Sequence, residues 1–150
     1  LALCVAAEIG HMEIVKFLID KGADVHADDE RTLKQAACLG HFEVVKYLVE
    51  GCGANVIDTL SRAAWGGRLD IIKYLVERGA DVHAGNESAF CEAVFEKNLE
   101  VVKYFVEEHN VDVQHISPSI VRIHPEYSEN DLMKSASLTR NLEANSTQPQ

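Results

Sequence analysis

Positive charge is scarce in this chain. Fourteen Lys and Arg stand against 24 Asp and Glu in 150 residues, a net charge of −10. Nucleic-acid binding draws on clustered cations that neutralise phosphates, so no nucleic acid is expected as a partner, and a basic or neutral protein surface suits the charge better than an acidic one. No apolar run approaches the roughly 20 residues of a membrane span, so no membrane partner is expected either. Cysteine is limited to Cys4, Cys38, Cys52 and Cys91 without a C-x-x-C pair. The four read as small hydrophobes in a reducing, intracellular compartment, cytoplasmic or nuclear. Catalytic signatures are missing too: there is no G-x-S-x-G, no phosphate-binding glycine loop and no H-E-x-x-H. No catalytic residue, small-molecule substrate, cofactor or metal is expected. No signal peptide is recognisable, and the chain opens on Leu1 instead of Met, so further sequence is expected upstream.

What the chain does have is one phrase written four times. GHFEVVKYLVE from Gly40 returns as GHMEIVKFLID from Gly10, GRLDIIKYLVE from Gly67 and KNLEVVKYFVE from Lys97, at spacings of 30, 27 and 30 residues. A period of this size marks stacked supersecondary units. On a helical wheel Glu13, Lys16 and Asp20 share a narrow arc, while Met12, Ile14, Val15, Leu18 and Ile19 fill a wide one. So broad an apolar face suits a helix held between one neighbour before it and another behind. Aromatics at the boundary, Phe17, Tyr47, Tyr74 and Tyr104, can bury a ring while each tyrosine hydroxyl reaches water.

A shorter apolar segment precedes each phrase and carries paired small residues: Ala6-Ala7, Ala36-Ala37, Ala63-Ala64 and the looser Ala93-Val94. Small side chains let two helices approach closely, which makes this the first helix of a helix–turn–helix pair. Asp58, Ser88 and Thr32 stand at expected N-caps, with Thr32 and Gln35 at capping-box spacing. Gly22, Gly53, Gly79 and Asn110 follow the second helices, where a left-handed residue ends a helix. The units run 1–30 (expected to be truncated at its start), 31–57, 58–87 and 88–114. Residues 115–144 are expected to form a degenerate C-terminal cap or tail and 145–150 a disordered end.

GHMEIVKFLIDKGADVHA, and AACLGHFEVVKYLVE with its following GAN, resemble ankyrin repeats. That family couples a T-P-L-H-x-A-A helix to G-H-x-E-V-V-x-x-L-L and G-A-D-V-N-A. The resemblance covers four units and departs in the T-P-L-H stretch, where Ala2, Thr32, Thr59 and Ala89 replace proline. The loops Gly22 to Leu33 and Gly53 to Leu60 are shorter than the family's, so its projecting hairpin is expected as a bare turn. Short-loop arrays with a repeated E-V-V-K-Y-L-V-E phrase are similar to those multiplied in large DNA viruses. The resemblance implies an all-α solenoid and a non-catalytic module that binds a protein partner on its concave face, and the chain is expected to be a monomer. The alternative is a spacer or capping segment of a longer array.

Function should lie in side chains that stacking leaves over. The two positions before each second-helix glycine read Glu8-Ile9, Cys38-Leu39, Trp65-Gly66 and Phe95-Glu96, and successive members should form rows along the groove. Trp65 beside Phe95 is similar to the aromatic anchors that dominate binding energy. The competing reading is that Trp65 fills the space left by Gly66-Gly67 and the shortened loop. A second candidate surface is the turns, with Asp28, Asp29, Glu30 and Arg31 after the first unit and Asn86 and Glu87 after the third. These are ordinarily solvated charges, and in a complex they would set orientation and association rate. His11 and His41 are read as bonding the turn between helices. His26 and His83 take the place of the asparagine that braces successive family turns and is open to enzymatic hydroxylation there; histidine keeps the bracing role and departs from the modified residue.

Overall fold

The computed structural model describes residues 1–111, and the segments 115–144 and 145–150 lie outside the described residues. Eight helices follow in order: α1 Ala2–Ile9, α2 Met12–Asp20, α3 Ala27–Leu39, α4 Phe42–Lys46, α5 Thr59–Trp65, α6 Leu69–Glu77, α7 Ala84–Phe95 and α8 Leu99–His109. No strand occurs among the described residues. Consecutive helices pair as α1–α2, α3–α4, α5–α6 and α7–α8. The first helices stack side by side, α1 on α3, α3 on α5 and α5 on α7, and carry most of the packing between pairs. The architecture is an all-α solenoid. None of these helices is long and apolar enough to cross a membrane.

The turn inside each pair is set by one repeated device. The amide of His11 donates to the Ala6 carbonyl at 3.0 Å, and His41 to Ala36, Arg68 to Ala63 and Asn98 to Ala93 do the same at 2.9, 3.0 and 2.9 Å. This is the six-to-one bond of a Schellman motif, which needs a left-handed residue just before the donor. Gly40 supplies it with φ 87°, and Lys97 takes the same conformation with φ 60° in the fourth unit. The paired small residues sit where expected: Ala7, Ala36, Ala37, Ala63, Ala64 and Ala93 have no exposed surface, so helix axes can close to the short end of the usual 8–10 Å range, roughly.

Second helices present two adjacent buried columns. Val44-Val45, Ile71-Ile72 and Val101-Val102 are all enclosed, which accounts for the broad apolar arc. Each large side chain buried this way contributes roughly 1.5–3 kcal/mol. The first unit differs: Val15 is enclosed but Ile14, the counterpart of Val44, is 49% exposed. The second helices end at positive φ on Gly22, Gly53, Gly79 and Asn110, as the sequence led us to expect. Between Glu50 and Gly53 the chain has one more residue than between Asp20 and Gly22. The helix absorbs it as a π-turn over Tyr47–Gly51, where the hydrogen-bonded ring is one residue wider.

The expected side-chain N-caps are not made. Asp58 occupies the N-cap of α5 but forms no cap bond, and Ser88 lies inside α7 with its hydroxyl donating to the Ala84 carbonyl at 3.3 Å. Thr32 is buried within α3, and Gln35 turns its amide away to Glu8 Oε1 at 2.9 Å, so no capping box forms. The start of α3 is instead a left-handed turn, with Asp28, Asp29 and Glu30 at φ 52°, 57° and 58°. Each such residue costs about 1–2 kcal/mol, so bonds elsewhere must hold the turn.

Candidate protein-interaction surface

The C-terminal ends of the first helices are tied into one register by side chains that reach back a unit. His41 Nε2 meets the Glu8 carbonyl at 2.7 Å, Arg68 Nε donates to the Cys38 carbonyl at 3.2 Å, and Asn98 Nδ2 donates to the Ala64 and Trp65 carbonyls at 2.8 and 3.2 Å. The last carbonyls of a helix have no partner within it. Here the next unit supplies one, and the helix ends become a fixed platform. His41 therefore bonds the turn as expected. Arg68 and Asn98 in the same column were missed, although their position after the second-helix glycine or its Lys97 substitute was the available signal.

On that platform the predicted row divides. Trp65 is 43% exposed and Phe95 54%, and Ile9 and Leu39 are exposed beside them. Cys38 is not part of this surface: it is buried, and burial pushes its thiol above the usual range. Its aliphatic neighbour Leu39 takes the outward position instead. Glu8 is half-buried and engaged, accepting from Gln35 at 2.9 Å and from the Cys4 thiol at 3.5 Å. The Gln35 bond, then the Cys4 bond, holds its carboxyl below the ordinary value. Glu96 is exposed. Trp65 does not fill the space beside Gly66 and Gly67. A β-carbon on Gly66 would meet the Cys38 carbonyl oxygen at 2.0 Å, and one on Gly67 the Asn98 amide at 2.7 Å, so both spaces are already occupied.

The turns show a different logic from free solvation. Asp24, Asn55 and Asp81 each accept, through the side-chain oxygen, the amide two residues on, at 2.9, 3.0 and 2.9 Å. These are Asx turns. His26 Nδ1 lies 2.6 Å from Glu30 Oε1, and His83 Nδ1 lies 2.7 Å from Glu87 Oε1. Glu30 is buried and not a solvated turn charge, because its Oε1 also accepts the Asn55 amide of the next turn at 3.1 Å. His26 thus braces successive turns through Glu30, which explains why the left-handed turn is retained. Asp28 and Arg31 are exposed, and Asp29 pairs with Lys34 at 2.7 Å. Glu87 is half-buried, and Asn86 contributes backbone to α7.

The opposite face carries a ladder that the repeated lysine and aromatic columns encode. Lys16 stands over the Tyr47 ring of the next unit at 5.9 Å, and Lys73 over Tyr104 at 5.4 Å. Tyr74 takes Arg78 instead, at 5.2 Å, with Glu50 accepting from both. Such contacts are worth about 0.5–1 kcal/mol at exposed sites, and they consume this face in holding units together. No group of three or more metal-capable side chains is gathered among the described residues.

Stacked helix pairs with a uniform turn, reach-back bonds and Asx-turn loops define a helical-repeat solenoid. The family model for ankyrin repeats, in three copies, matches residues 1–59, and that for a single ankyrin repeat matches residues 60–87. The chain belongs to the ankyrin repeat family, whose members are protein–protein interaction modules. No curated protein matches it.

Proposed function

We propose that this chain is a non-catalytic adaptor that holds a segment of another protein against the concave row of first-helix ends. The observation that carries the reading is the adjacent exposure of Trp65 and Phe95 on neighbouring units, at 43% and 54%. Large aromatics are the residue type on which interface energy concentrates, and a rigid platform spares the cost of ordering them on binding. The partner is a protein, bound without reaction or cofactor by a monomer in a reducing intracellular compartment.

The test compares the wild-type chain with a Trp65→Ala, Phe95→Ala double variant in partner capture, with Glu43→Ala on the opposite face as control. The reading expects one set of proteins lost with the double variant and kept with the control. Equal capture by all three would remove the groove from the account.

A second reading, a spacer within a longer array, has its own support in Ile14. This side chain is 49% exposed where its counterparts Val44, Ile71 and Val101 are enclosed. A face of that kind fits the trailing side of another helix pair. Fusing a copy of residues 31–57 ahead of Leu1 should then raise the unfolding midpoint, and an Ile14→Lys change should cancel the gain.

A further inference from the structure

We propose that the exposed leading face of the first helix pair is a docking site for a further helix pair of the same repeat, joined ahead of Leu1, whose second helix ends in an acid that pairs with Lys21. The inference rests on the longer-array reading and adds the chemistry of the occupant. Two stripes make the face. Ala2, Val5 and Ile9 stand at i, i+3 and i+7 on α1, and Ile14, Phe17 and Lys21 do so on α2 and its C-cap. That spacing puts each set on one side of its helix. All six are exposed, and all but Lys21 are apolar. The outermost unit of a solenoid needs a polar outer face, which this is not.

The later units show what covers such a face, because there the same positions grip the pair before them. Ala2 corresponds to Thr32, Thr59 and Ala89, all buried, and Ile14 to Val44, Ile71 and Val101, all enclosed. Val5 corresponds to Gln35, which bonds Glu8 of the preceding unit. Exposed His11 shares its column with the reach-back donors His41, Arg68 and Asn98. Phe17 is 58% exposed, whereas Tyr74 in its place is 8% exposed and meets the Phe42 ring of the preceding unit edge-on at 5.4 Å. The face therefore continues the interfaces already made inside the chain. Because its stripes lie on both α1 and α2, a helix pair covers it and a single helix does not.

The acid follows from the end of α6. Tyr74 lies under Arg78 of its own unit at 5.2 Å, and Glu50 of the preceding unit accepts from both. Phe17 and Lys21 repeat this ring and cation at 5.6 Å. Among the described residues no carboxylate pairs with Lys21. The other joints also bring the preceding acid to the ring. Burial first, and the Asp20 charge as well, raises the Tyr47 hydroxyl, and burial with Glu77 among the nearby charges does so at Tyr104. Phe17 has no hydroxyl, so an incoming acid finds its donor in Lys21. Every copy of the repeated phrase ends in an acid, at Asp20, Glu50, Glu77 and Glu107, so a further repeat brings one to this place.

Fusing a copy of residues 31–57 ahead of Leu1 tests this in register, since Leu1 takes the place of Asp58 and the copy's Glu50 comes to Phe17 and Lys21. Compared with the unfused chain, the fusion should slow amide exchange in α1 and α2 by roughly tenfold or more, the mark of added local stability. Lys21→Gln and, in the copy, Glu50→Gln make a double-mutant cycle. Their coupling should be about two- to fivefold in the opening equilibrium, the range for an exposed ion pair, and should shrink as salt rises. Added protection without coupling overturns the inference and leaves the longer-array reading standing. Protection that the fusion does not change overturns both. A dimer of the unfused chain in sedimentation, returned to monomer by Ile14→Lys, also overturns both, because a second copy then covers the face.

Discussion

The backbone of Gly66 lies against the carbonyl oxygen of Cys38, close enough that an added β-carbon would stand 2.0 Å from that oxygen. Gly66 has an ordinary right-handed conformation with φ −75°, so its requirement is space and not backbone freedom. A Gly66→Ala change must push α5 away from α3. The expected cost is about 1–3 kcal/mol, the range for overpacking a close contact, with a displaced Trp65 emission maximum in the folded protein. Gly22 provides the contrast, having φ 87° and nothing near its missing β-carbon. Gly22→Ala should cost about 1–2 kcal/mol through strain and leave Trp65 emission unchanged. Denaturant titration followed by circular dichroism and by fluorescence separates the two. A Gly66→Ala protein as stable as wild type would contradict the close approach.

The bond from His41 to the Glu8 carbonyl should be exchangeable for the one that Asn98 makes a unit pair later. His41→Ala leaves that helix end without its partner and should lower stability by about 0.5–1.5 kcal/mol. His41→Asn should recover part of the loss, because an amide in this column reaches the preceding carbonyls in the fourth unit. Equal losses for the two variants would mean that imidazole packing, rather than the bond, fixes the turn.

How far the sequence foretold this depended on whether a residue's partner repeats with it. The buried alanine pairs and the Val-Val and Ile-Ile columns were legible because each copy repeats the same environment. Trp65 was legible as a candidate, but its exposure was not, since the Gly66 and Gly67 spaces are filled by Cys38 and Asn98 from neighbouring units. Cys38 was misplaced on the surface because one column holds Glu8, Cys38, Trp65 and Phe95, and position alone does not tell a small thiol that turns inward from an indole that cannot. Glu30 was hidden for a different reason: three successive left-handed residues carry it back under the loop, a conformation that side-chain type does not announce.

The His26–Glu30 pair should make stability depend on pH. The short hydrogen bond to Glu30, then the Glu30 charge, raises the imidazole above its ordinary 6.5, so the folded state holds the proton more tightly than the unfolded chain. The stabilisation is fully present below 6.5 and is lost as pH rises through the folded value. A His26→Gln variant lacks this dependence. The stability difference between wild type and His26→Gln should therefore be larger near about pH 6 than near about pH 8.5. Urea titrations at the two values decide the matter, and a difference that does not change with pH would sever the ion pair from loop bracing.

Thr59 offers a gain in stability. Its hydroxyl is fully enclosed and has no hydrogen-bond partner, whereas the same repeat position carries alanine at Ala2 and Ala89. A buried, unsatisfied polar group costs about 1–3 kcal/mol, and the packing around Thr59 already fits a branched side chain. Thr59→Val keeps that branched shape and exchanges the hydroxyl for a methyl group. The urea midpoint should rise by an amount equivalent to about 1 kcal/mol with an unchanged m-value, since the surface exposed on unfolding stays the same. Thr59→Ala, which also removes a methyl group, should gain less. If Thr59→Val proved less stable than wild type, the hydroxyl would have a partner in solution, and the N-terminal turn of α5 would hold a polar contact.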